Sequence, residues 1–424
     1  MAAASSLCPT RAGVFFAIAA LLAVPIASST ELRGLAAAAR SILGINQGVY
    51  VEAADGTVLL AQAASTAVHP ASVSKVPTTL ALLRKLGPEH RFITTFTAKG
   101  RLLGGTLYGD LLVESDGDPS LVDEDALLVA ERLRQSGIAR IAGDLVLRGP
   151  LTFDWKSDAN GAFLRHALSG LTPPAAWQAV RALDVSNPNG AGDPASAPGI
   201  RFGSVAAWPA DGNGAARVIE LPGERPLIVH RSQPLLPLVK SLNDYSNNIF
   251  TPFADAAGGA AAVESLARNV VPQEMRSEII LGDGAGTDPT NRLSPRAAVK
   301  LLRALEQELA TTGHALFDIL PVAGIDDGTL RDRLNGPGEA GHVLGKTGTF
   351  GDYGASALIG AIATTDRGTV YFAILDHDVP VYQARRRQDR FVRALLANLH
   401  SVPWNYRRDP RAAITRAEVA IMPW

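Results

Sequence analysis

A chain of 424 residues with 47% hydrophobic residues can bury a large core, which excludes a disordered chain and predicts one large domain with an insertion or two medium domains. The formal net charge of −1 gives no overall attraction to nucleic acid or to an anionic membrane, so nucleic acid is not an expected partner. Any charged partner would have to bind a local patch.

Residues 1–29 have the three-part layout of a secretory signal peptide. Arg11 precedes an apolar run of about 15 residues, from Gly13 to Ala27, and small residues follow it. The run is shorter than the roughly 20 residues that span a bilayer, although an uncleaved membrane anchor is the alternative. We therefore expect residues 1–29 to be removed and the protein to be exported to the periplasm or cell envelope.

The single cysteine, Cys8, lies within this leader, so the mature chain would contain no thiol. Disulfides, thiolate metal sites and a cysteine nucleophile are then excluded, which is compatible with a bacterial envelope protein. Glu114, Asp116 and Asp118 form an acidic cluster, but their spacing is not that of a calcium loop, and a turn is the favoured interpretation. The sequence predicts neither a metal nor a cofactor.

Residues 30–90 are predicted to begin the catalytic domain. Over residues 47–62, apolar and polar side chains alternate on both sides of Asp55-Gly56, which predicts a β-hairpin. Residues 72–86 then show a helical pattern, in which Pro77 is acceptable only near the first turn.

Residues 91–232 consist of short strand-like runs separated by Gly, Pro, Asp and Asn clusters, and we expect an inserted, mostly β lobe. Residues 233–400 are predicted to complete the catalytic domain, and residues 401–424 to form a C-terminal tail. The helices are predicted over 234–258, 264–271, 294–311 and 383–399, and the strands over 342–350, 355–363 and 369–376. This order predicts an α/β (α+β) fold in which helices flank an antiparallel sheet.

Ser72-Val73-Ser74-Lys75 is an S-x-x-K motif at the start of the first predicted helix. Because positions three apart share a helix face, Lys75 can reach the Ser72 hydroxyl. A desolvated lysine loses part of its preference for the proton and can act as a base, while helix N-terminal N–H groups stabilise an oxyanion. The motif alone is common, and a capping serine beside a solvated lysine is the alternative.

Lys346-Thr347-Gly348-Thr349 lies at the end of a predicted strand, so Lys346 and Gly348 share one face and the two threonines the other. Such an edge strand can pair with an extended peptide, whose terminal carboxylate the ammonium and hydroxyls would receive. A phosphate-binding loop is the alternative, but no G-x-x-x-x-G precedes Lys346.

Ser246-Asn247-Asn248 lies on or just after the helical pattern that begins at Pro234. Its serine can relay a proton, and the amide of Asn248 can orient the peptide group of a substrate. A helix-end cap is the alternative interpretation of this short motif.

The three motifs occur in the order that penicillin-binding proteins and serine β-lactamases share. The chain resembles the low-molecular-mass class C penicillin-binding proteins, the D-alanyl-D-alanine carboxypeptidase and endopeptidase family, over most of the mature sequence. The further segments that resemble this family are GDLLVESDGDPSL, AGDLVLRG, LGDGAGTDPTNRLSP and LPVAGIDDGTLRDRL. The resemblance implies the penicillin-binding-protein/β-lactamase-like transpeptidase fold.

The resemblance also implies the site. Ser72 would attack a D-Ala-D-Ala or cross-link peptide bond, Lys75 would take its proton, and Ser246 would pass a proton to the leaving amine. The oxyanion hole would be the backbone N–H groups of Ser72 and Thr349. The residues implied to hold the substrate are Asn248, Lys346, Thr347 and Thr349. Partners would be peptidoglycan peptides, with β-lactams as covalent inhibitors.

Two other functions stay open from the sequence. A serine β-lactamase or esterase of the same fold would release its acyl group rapidly, and a non-catalytic cell-wall-binding relative would bind peptidoglycan without releasing D-alanine. The inserted lobe argues against the first, and the intact motif residues argue against the second.

Several other polar residues are interpreted as structural. His69, three residues before Ser72, could be a base but is better explained by a structural role, and Asp283, Asp326 and Asp327 are predicted to hold turns. The last predicted helix carries an arginine run that is typical of a solvated face, with weak association with a membrane surface or glycan as the alternative. Its members are Arg385, Arg386, Arg387, Arg390 and Arg393.

Overall fold

The computed structural model of the protein describes residues 29–183, 199–203, 219–246, 250–351, 354–408 and 418–422. The helices are α1 Ser29–Ile42, α2 Lys75–Leu86, α3 Asp123–Gln135, α4 Ala162–Leu168, α5 Pro174–Leu183, α6 Leu235–Tyr245, α7 Phe250–Ala257, α8 Ala260–Val270, α9 Pro295–Thr311 and α10 Val381–Asn398. All but the last residue of the predicted leader lies outside the described residues. Helix α1, which the sequence did not predict, starts at Ser29.

The strands are β1 Gly48–Ala53, β2 Val58–Gln62, β3 Ile93–Leu103, β4 Thr106–Ser115, β5 Arg140–Ile141, β6 Leu145–Arg148, β7 Thr152–Phe153, β8 Lys156–Ser157, β9 Arg201–Phe202, β10 Ile219–Arg231, β11 Ile279–Ile280, β12 Arg292–Leu293, β13 Val343–Phe350, β14 Ala355–Thr364, β15 Thr369–Asp376, β16 Ser401–Val402 and β17 Glu418–Ile421. The main sheet has the order β13-β14-β15-β1-β2, with β16 paired to β14. Every pair in it is antiparallel, which confirms the predicted antiparallel sheet.

Helices cover both faces of this sheet, because successive side chains of a strand point to opposite faces. On β1, Tyr50 packs in the core formed with α2, α6, α7, α8 and α9, whereas Val49 and Val51 pack against α1 and α10. Each aliphatic side chain fully buried in these cores contributes about 1.5–3 kcal/mol. The two cores fix the sheet and its helices as one scaffold.

A buried carboxylate ties β1 to α9. The Glu52 side chain is fully buried and accepts hydrogen bonds from Lys300 Nζ at 2.6 Å and from the Tyr50 hydroxyl at 2.8 Å. Arg303 forms a further ion pair with it. These hydrogen bonds and ion pairs offset the free-energy cost of removing the carboxylate from water. The position of α9 on the sheet is therefore fixed by ion pairs as well as by packing.

The segment between α2 and α6 supplies six strands of a second, seven-stranded sheet, in the order β17-β10-β3-β4-β5-β9 with β6 on β4, and β17 comes from the C-terminal end of the chain. Its core also contains residues of α3 and α4, helices that the sequence interpretation of this segment did not predict. The acidic first turn of α3, from Asp123 to Asp125, favours a helix start because carboxylates complement the helix dipole.

The segment predicted as a C-terminal tail contributes to both sheets. Ser401–Val402 pairs with β14, and Glu418–Ile421 pairs with β10 through the register Ile228↔Ile421. The prediction of a simple tail is therefore wrong for these residues. Strands of two and four residues are too short for an alternation pattern to be visible in the sequence.

Candidate active site

Ser72 lies in a 3-10 turn, Ala71–Ser74, that leads directly into α2. Its side chain is close to Lys75, with 2.7 Å between Oγ and Nζ. Pro77 occupies the first turn of α2, where a missing N–H costs the helix nothing. The motif thus places a hydroxyl and an amine in hydrogen-bond contact at the start of a helix.

The electrostatic environment of Lys75 suits a base. The residue is fully buried, and this burial lowers the pKa of its ammonium to about 7, although Asp283 acts in the opposite direction. Near neutral pH a large fraction of Lys75 is therefore the free amine, which can accept the Ser72 proton.

Ser246 lies at a break between α6 and α7, where its backbone is left-handed with φ of 56°. The single helix predicted over 234–258 is therefore wrong, because this residue turns the chain. The break brings the Ser246 carbonyl within 3.2 Å of Lys75 Nζ, and its hydroxyl accepts a hydrogen bond of 2.8 Å from Lys346 Nζ. Asn248 lies outside the described residues.

Strand β13, at the edge of the main sheet, carries Lys346 and lies next to the Ser72 turn. A Cβ on Gly348 would lie 2.6 Å from the Pro70 carbonyl oxygen and 3.1 Å from the Ser72 nitrogen, so only glycine allows this approach. The Thr349 side chain, one residue further, is exposed. The three motifs therefore converge on one cleft.

Lys346 is completely buried, and both this burial and the nearby Lys75 lower its pKa well below the usual range, while Asp244 acts in the opposite direction. Its Nζ donates to the Ser246 hydroxyl and to the Thr347 carbonyl, each at 2.8 Å. The amine is thus oriented toward the interior of the cleft, where it can exchange a proton through Ser246.

Two residues that the motif search missed connect the S-x-N turn to β13. The Thr347 hydroxyl donates to the Thr329 hydroxyl at 2.9 Å, and the Thr329 N–H donates to the Asp244 carbonyl at 2.8 Å. Burial raises the pKa of the Asp244 carboxyl to about 7, against the effect of Lys240. Thr329 lies within LPVAGIDDGTLRDRL, so the resemblance of that segment was the available signal.

His69 and Asp283 shape the Ser72 turn. His69 Nδ1 accepts from the Ala71 N–H at 3.1 Å, Nε2 contacts the Asp288 carbonyl at 3.0 Å, and the ring stacks on Phe350 with 4.4 Å between centroids. Asp283 accepts from the Gly286 N–H at 2.8 Å, and Gly286 packs against Ala71. Both residues therefore support the turn that carries Ser72.

The other acidic residues singled out in the sequence lie in structural contacts. Asp118 faces His230 at 3.1 Å, and Asp116 accepts from the Ile93 N–H. Asp326 accepts from Lys240 Nζ at 2.6 Å, and Asp327 pairs with Arg408. Over the described ranges, the structure contains no group of three or more His, Cys, Asp or Glu side chains arranged to hold a metal ion.

This arrangement defines a serine acyl-transfer enzyme of the penicillin-binding-protein type. It consists of a serine beside a buried lysine at the start of a helix, a second serine at a helix break, and a lysine on the adjoining strand. More specifically, the chain belongs to the D-Ala-D-Ala carboxypeptidase 3 (S13) family, whose profile matches residues 31–174 and 216–398. The family predicted from the motifs is confirmed.

The chain is similar to one curated relative in sequence and to two solved structures in fold. The chain is 27% identical to carboxypeptidase DacB of Mycolicibacterium smegmatis over 409 residues, covering 87% of this chain and 81% of the relative. The penicillin G-acylated endopeptidase Bd3459 of Bdellovibrio bacteriovorus is similar with a TM-score of 0.68 and 21% identity, over 88% of this chain and 99% of that one. Penicillin-binding protein 4 of Haemophilus influenzae, solved with a β-lactam, gives 0.61 and 20%, over 88% and 100%.

Family membership makes the protein a serine-type D-Ala-D-Ala carboxypeptidase that acts on peptidoglycan, and it places the protein in the cell envelope. None of the helices in the described ranges has the length and apolar character of a membrane span.

Proposed function

We propose that Ser72 is the nucleophile of this peptidase and that Lys75 is its base. The 2.7 Å contact between Ser72 Oγ and Lys75 Nζ, in an environment that lowers the lysine pKa to about 7, carries this assignment. Lys75 takes the hydroxyl proton while Oγ bonds to the carbonyl carbon of the terminal D-Ala-D-Ala bond. The backbone N–H groups of Ser72 and Thr349 stabilise the developing oxyanion.

Collapse of the tetrahedral intermediate breaks the C–N bond and needs a proton for the leaving amine. The chain from Lys346 Nζ to the Ser246 hydroxyl supports Ser246 as the group that delivers this proton. D-Alanine then leaves, and water hydrolyses the Ser72 ester. Asn248, Lys346, Thr347 and Thr349 hold the peptide, which adds to the edge of β13 as an extra strand.

The same reaction explains covalent inhibition by β-lactams. Ser72 would open the lactam ring, and the ring-opened acyl group stays attached and keeps water from the ester. We place the enzyme in the periplasm, where its peptidoglycan substrate lies, and assign it both the carboxypeptidase and the endopeptidase reaction. A weak association of α10 with glycan or an anionic surface would use Arg386 and Arg390, because Arg385 and Arg393 contact Thr349 and Glu339.

The test uses the mature protein and a fluorescent penicillin, with intact mass as a second readout. Wild-type protein should gain one adduct and release D-alanine from a muropeptide pentapeptide, while Ser72→Ala should do neither. Ser74→Ala is the matched control, because the Ser74 hydroxyl is buried in the same turn and makes no hydrogen bond with described residues. Labelling of Ser72→Ala contradicts the assignment, and rapid loss of the adduct with steady lactam turnover indicates a β-lactamase.

A further inference from the structure

Proton delivery to the leaving amine depends on the distance between two separate elements. Ser246 follows the end of α6 and Lys346 lies on β13, and a hydrogen bond of 2.8 Å joins their side chains. Ser246 has a left-handed backbone outside the helix, so the regular hydrogen bonds of α6 do not fix its position. The distance between the turn and the strand therefore depends on contacts with other parts of the chain.

Thr329 connects the turn to the strand from a third segment. Its N–H donates to the Asp244 carbonyl at 2.8 Å, and its hydroxyl accepts from the Thr347 hydroxyl at 2.9 Å. Asp244 lies two residues before Ser246. Thr347 directly follows Lys346. The two hydrogen bonds of Thr329 thus join the same two elements as the hydrogen bond between the catalytic serine and lysine.

The loop of residues 321–329, which ends at this threonine, is fixed to both elements. The Gly345 N–H of β13 donates to the Pro321 carbonyl at 3.0 Å. Lys240 Nζ of α6 donates to the buried Asp326 carboxylate at 2.6 Å. Because the loop is held by the strand and by the helix, the threonine at its end has a defined position between them.

Gly328 allows the loop to approach the end of α6. Its φ is +89°, and a Cβ at this position would overlap the Asp244 carbonyl oxygen. Only glycine therefore permits the approach that the hydrogen bond from the Thr329 N–H requires.

We propose that Thr329 is a positioning residue for proton delivery. Its two hydrogen bonds keep the Ser246 hydroxyl within hydrogen-bond distance of Lys346 Nζ. The inference rests on the proposed function, in which Ser246 gives its hydroxyl proton to the leaving nitrogen as the C–N bond breaks and takes a replacement from Lys346. A displacement of about 1 Å between such groups can cost about 100-fold in rate. Thr329 itself takes no part in the proton transfer.

The test compares a D-Ala-D-Ala peptide with the matched thioester, in which sulfur replaces the nitrogen of the scissile bond. An amine needs a proton to leave, whereas a thiolate leaves without one, so a defect in proton delivery slows the peptide far more than the thioester. Thr329→Val should lower kcat/KM for the peptide by roughly 10- to 100-fold and for the thioester by less than about threefold. Thr329→Ser keeps the hydroxyl and should retain most of the activity on the peptide.

Three further variants complete the comparison. Ser246→Ala should also lose more activity on the peptide than on the thioester. The double variant with Thr329→Val should lose no more than Ser246→Ala alone, because the threonine acts through the serine. Thr365→Val is the matched control, because Thr365 is exposed and its hydroxyl makes no hydrogen bond with the described residues.

Equal losses of Thr329→Val on both substrates, or no loss on the peptide, would overturn the positioning role. Melting temperatures of all variants are measured, and a loss on both substrates with a lowered melting temperature also counts against this role. If the wild-type enzyme cleaves neither substrate, or if Ser246→Ala loses activity equally on both, the proposed function itself fails.

Discussion

Lys75 and Lys346 are two amines buried in one cleft, and their charges compete. Desolvation penalises each ammonium, and Lys75 lowers the pKa of Lys346 further, so the site disfavours two full positive charges near neutral pH. Asp244, behind the S-x-N turn, is the carboxylate that opposes this effect at Lys346. Each lysine thus has a serine hydroxyl within hydrogen-bond distance, Ser72 for Lys75 and Ser246 for Lys346.

The lowered pKa of Lys75 predicts the pH dependence of acylation. The base is the neutral amine, and its fraction rises as pH increases through about 7, so the second-order rate of penicillin acylation should rise from pH 5.5 to 8 and then level off. Stopped-flow labelling with a fluorescent penicillin measures this rate. A rate that is flat or that falls over this interval would contradict Lys75 as the base.

For individual residues, the sequence predicted the contacts within a contiguous motif and missed the contacts between residues that are distant in the chain. Ser72 and Lys75 are three residues apart, so helix geometry alone predicted their contact. Arg385 and Thr349 are brought together only by the packing of α10 on the sheet, and the arginine run resembled a solvated face. Local pattern contains no information on such a tertiary contact.

Among the secondary-structure elements, the close contact between β13 and the Ser72 turn brings the motif residues together. Gly348→Ala would place a methyl group against the Pro70 carbonyl and separate the two elements, and a displacement of about 1 Å can cost about 100-fold in rate. We expect kcat/KM to fall by about 10- to 100-fold.

Gly351→Ala provides the control for that substitution, because no atom of the described residues outside its chain neighbours lies within 4 Å of the added methyl group. Peptide hydrolysis by both variants is measured beside their melting temperatures. Full activity of Gly348→Ala would show that the strand and the turn are not in close contact.

Elements with a strong local signal were predicted well. The Asp55-Gly56 hairpin and helix α9 were predicted, and α9 begins at the Ser294 cap, whose hydroxyl accepts from the Ala297 N–H, followed by Pro295. The break at Ser246 was missed because apolar residues continue on both sides of it, and only tertiary packing fixes its left-handed backbone.

In the molecule as a whole, the second sheet is joined to its helices by a buried ion cluster. His230 of β10 is fully buried, with ring nitrogens 3.1 Å from Asp118 and 3.5 Å from Asp125 of α3. Burial lowers the pKa of the imidazole, but the two carboxylates outweigh it and raise the pKa to about 10. The charged ring therefore links strand and helix over the physiological range.

His230→Gln should lower the free energy of unfolding by about 3–5 kcal/mol at pH 6, because it removes a positive charge that lies between two buried carboxylates. Since the pKa in the folded state is above the ordinary value of 6.5, the stabilisation is complete below pH 6.5 and is lost as pH rises toward 10. Urea unfolding of both proteins at pH 6 and pH 9 measures it. A difference between the two proteins that does not shrink at pH 9 would contradict the charged state of His230.

Strand β17 covers the outer edge of β10 over residues 228–231. An uncovered strand edge offers a row of free N–H and C=O groups on which another chain can add. Proteolytic removal of residues 418–422 would therefore expose the edge of β10 to pairing with another chain. The damage would appear as self-association, while the Ser72 site, which contains none of these residues, would keep its acyl-transfer chemistry.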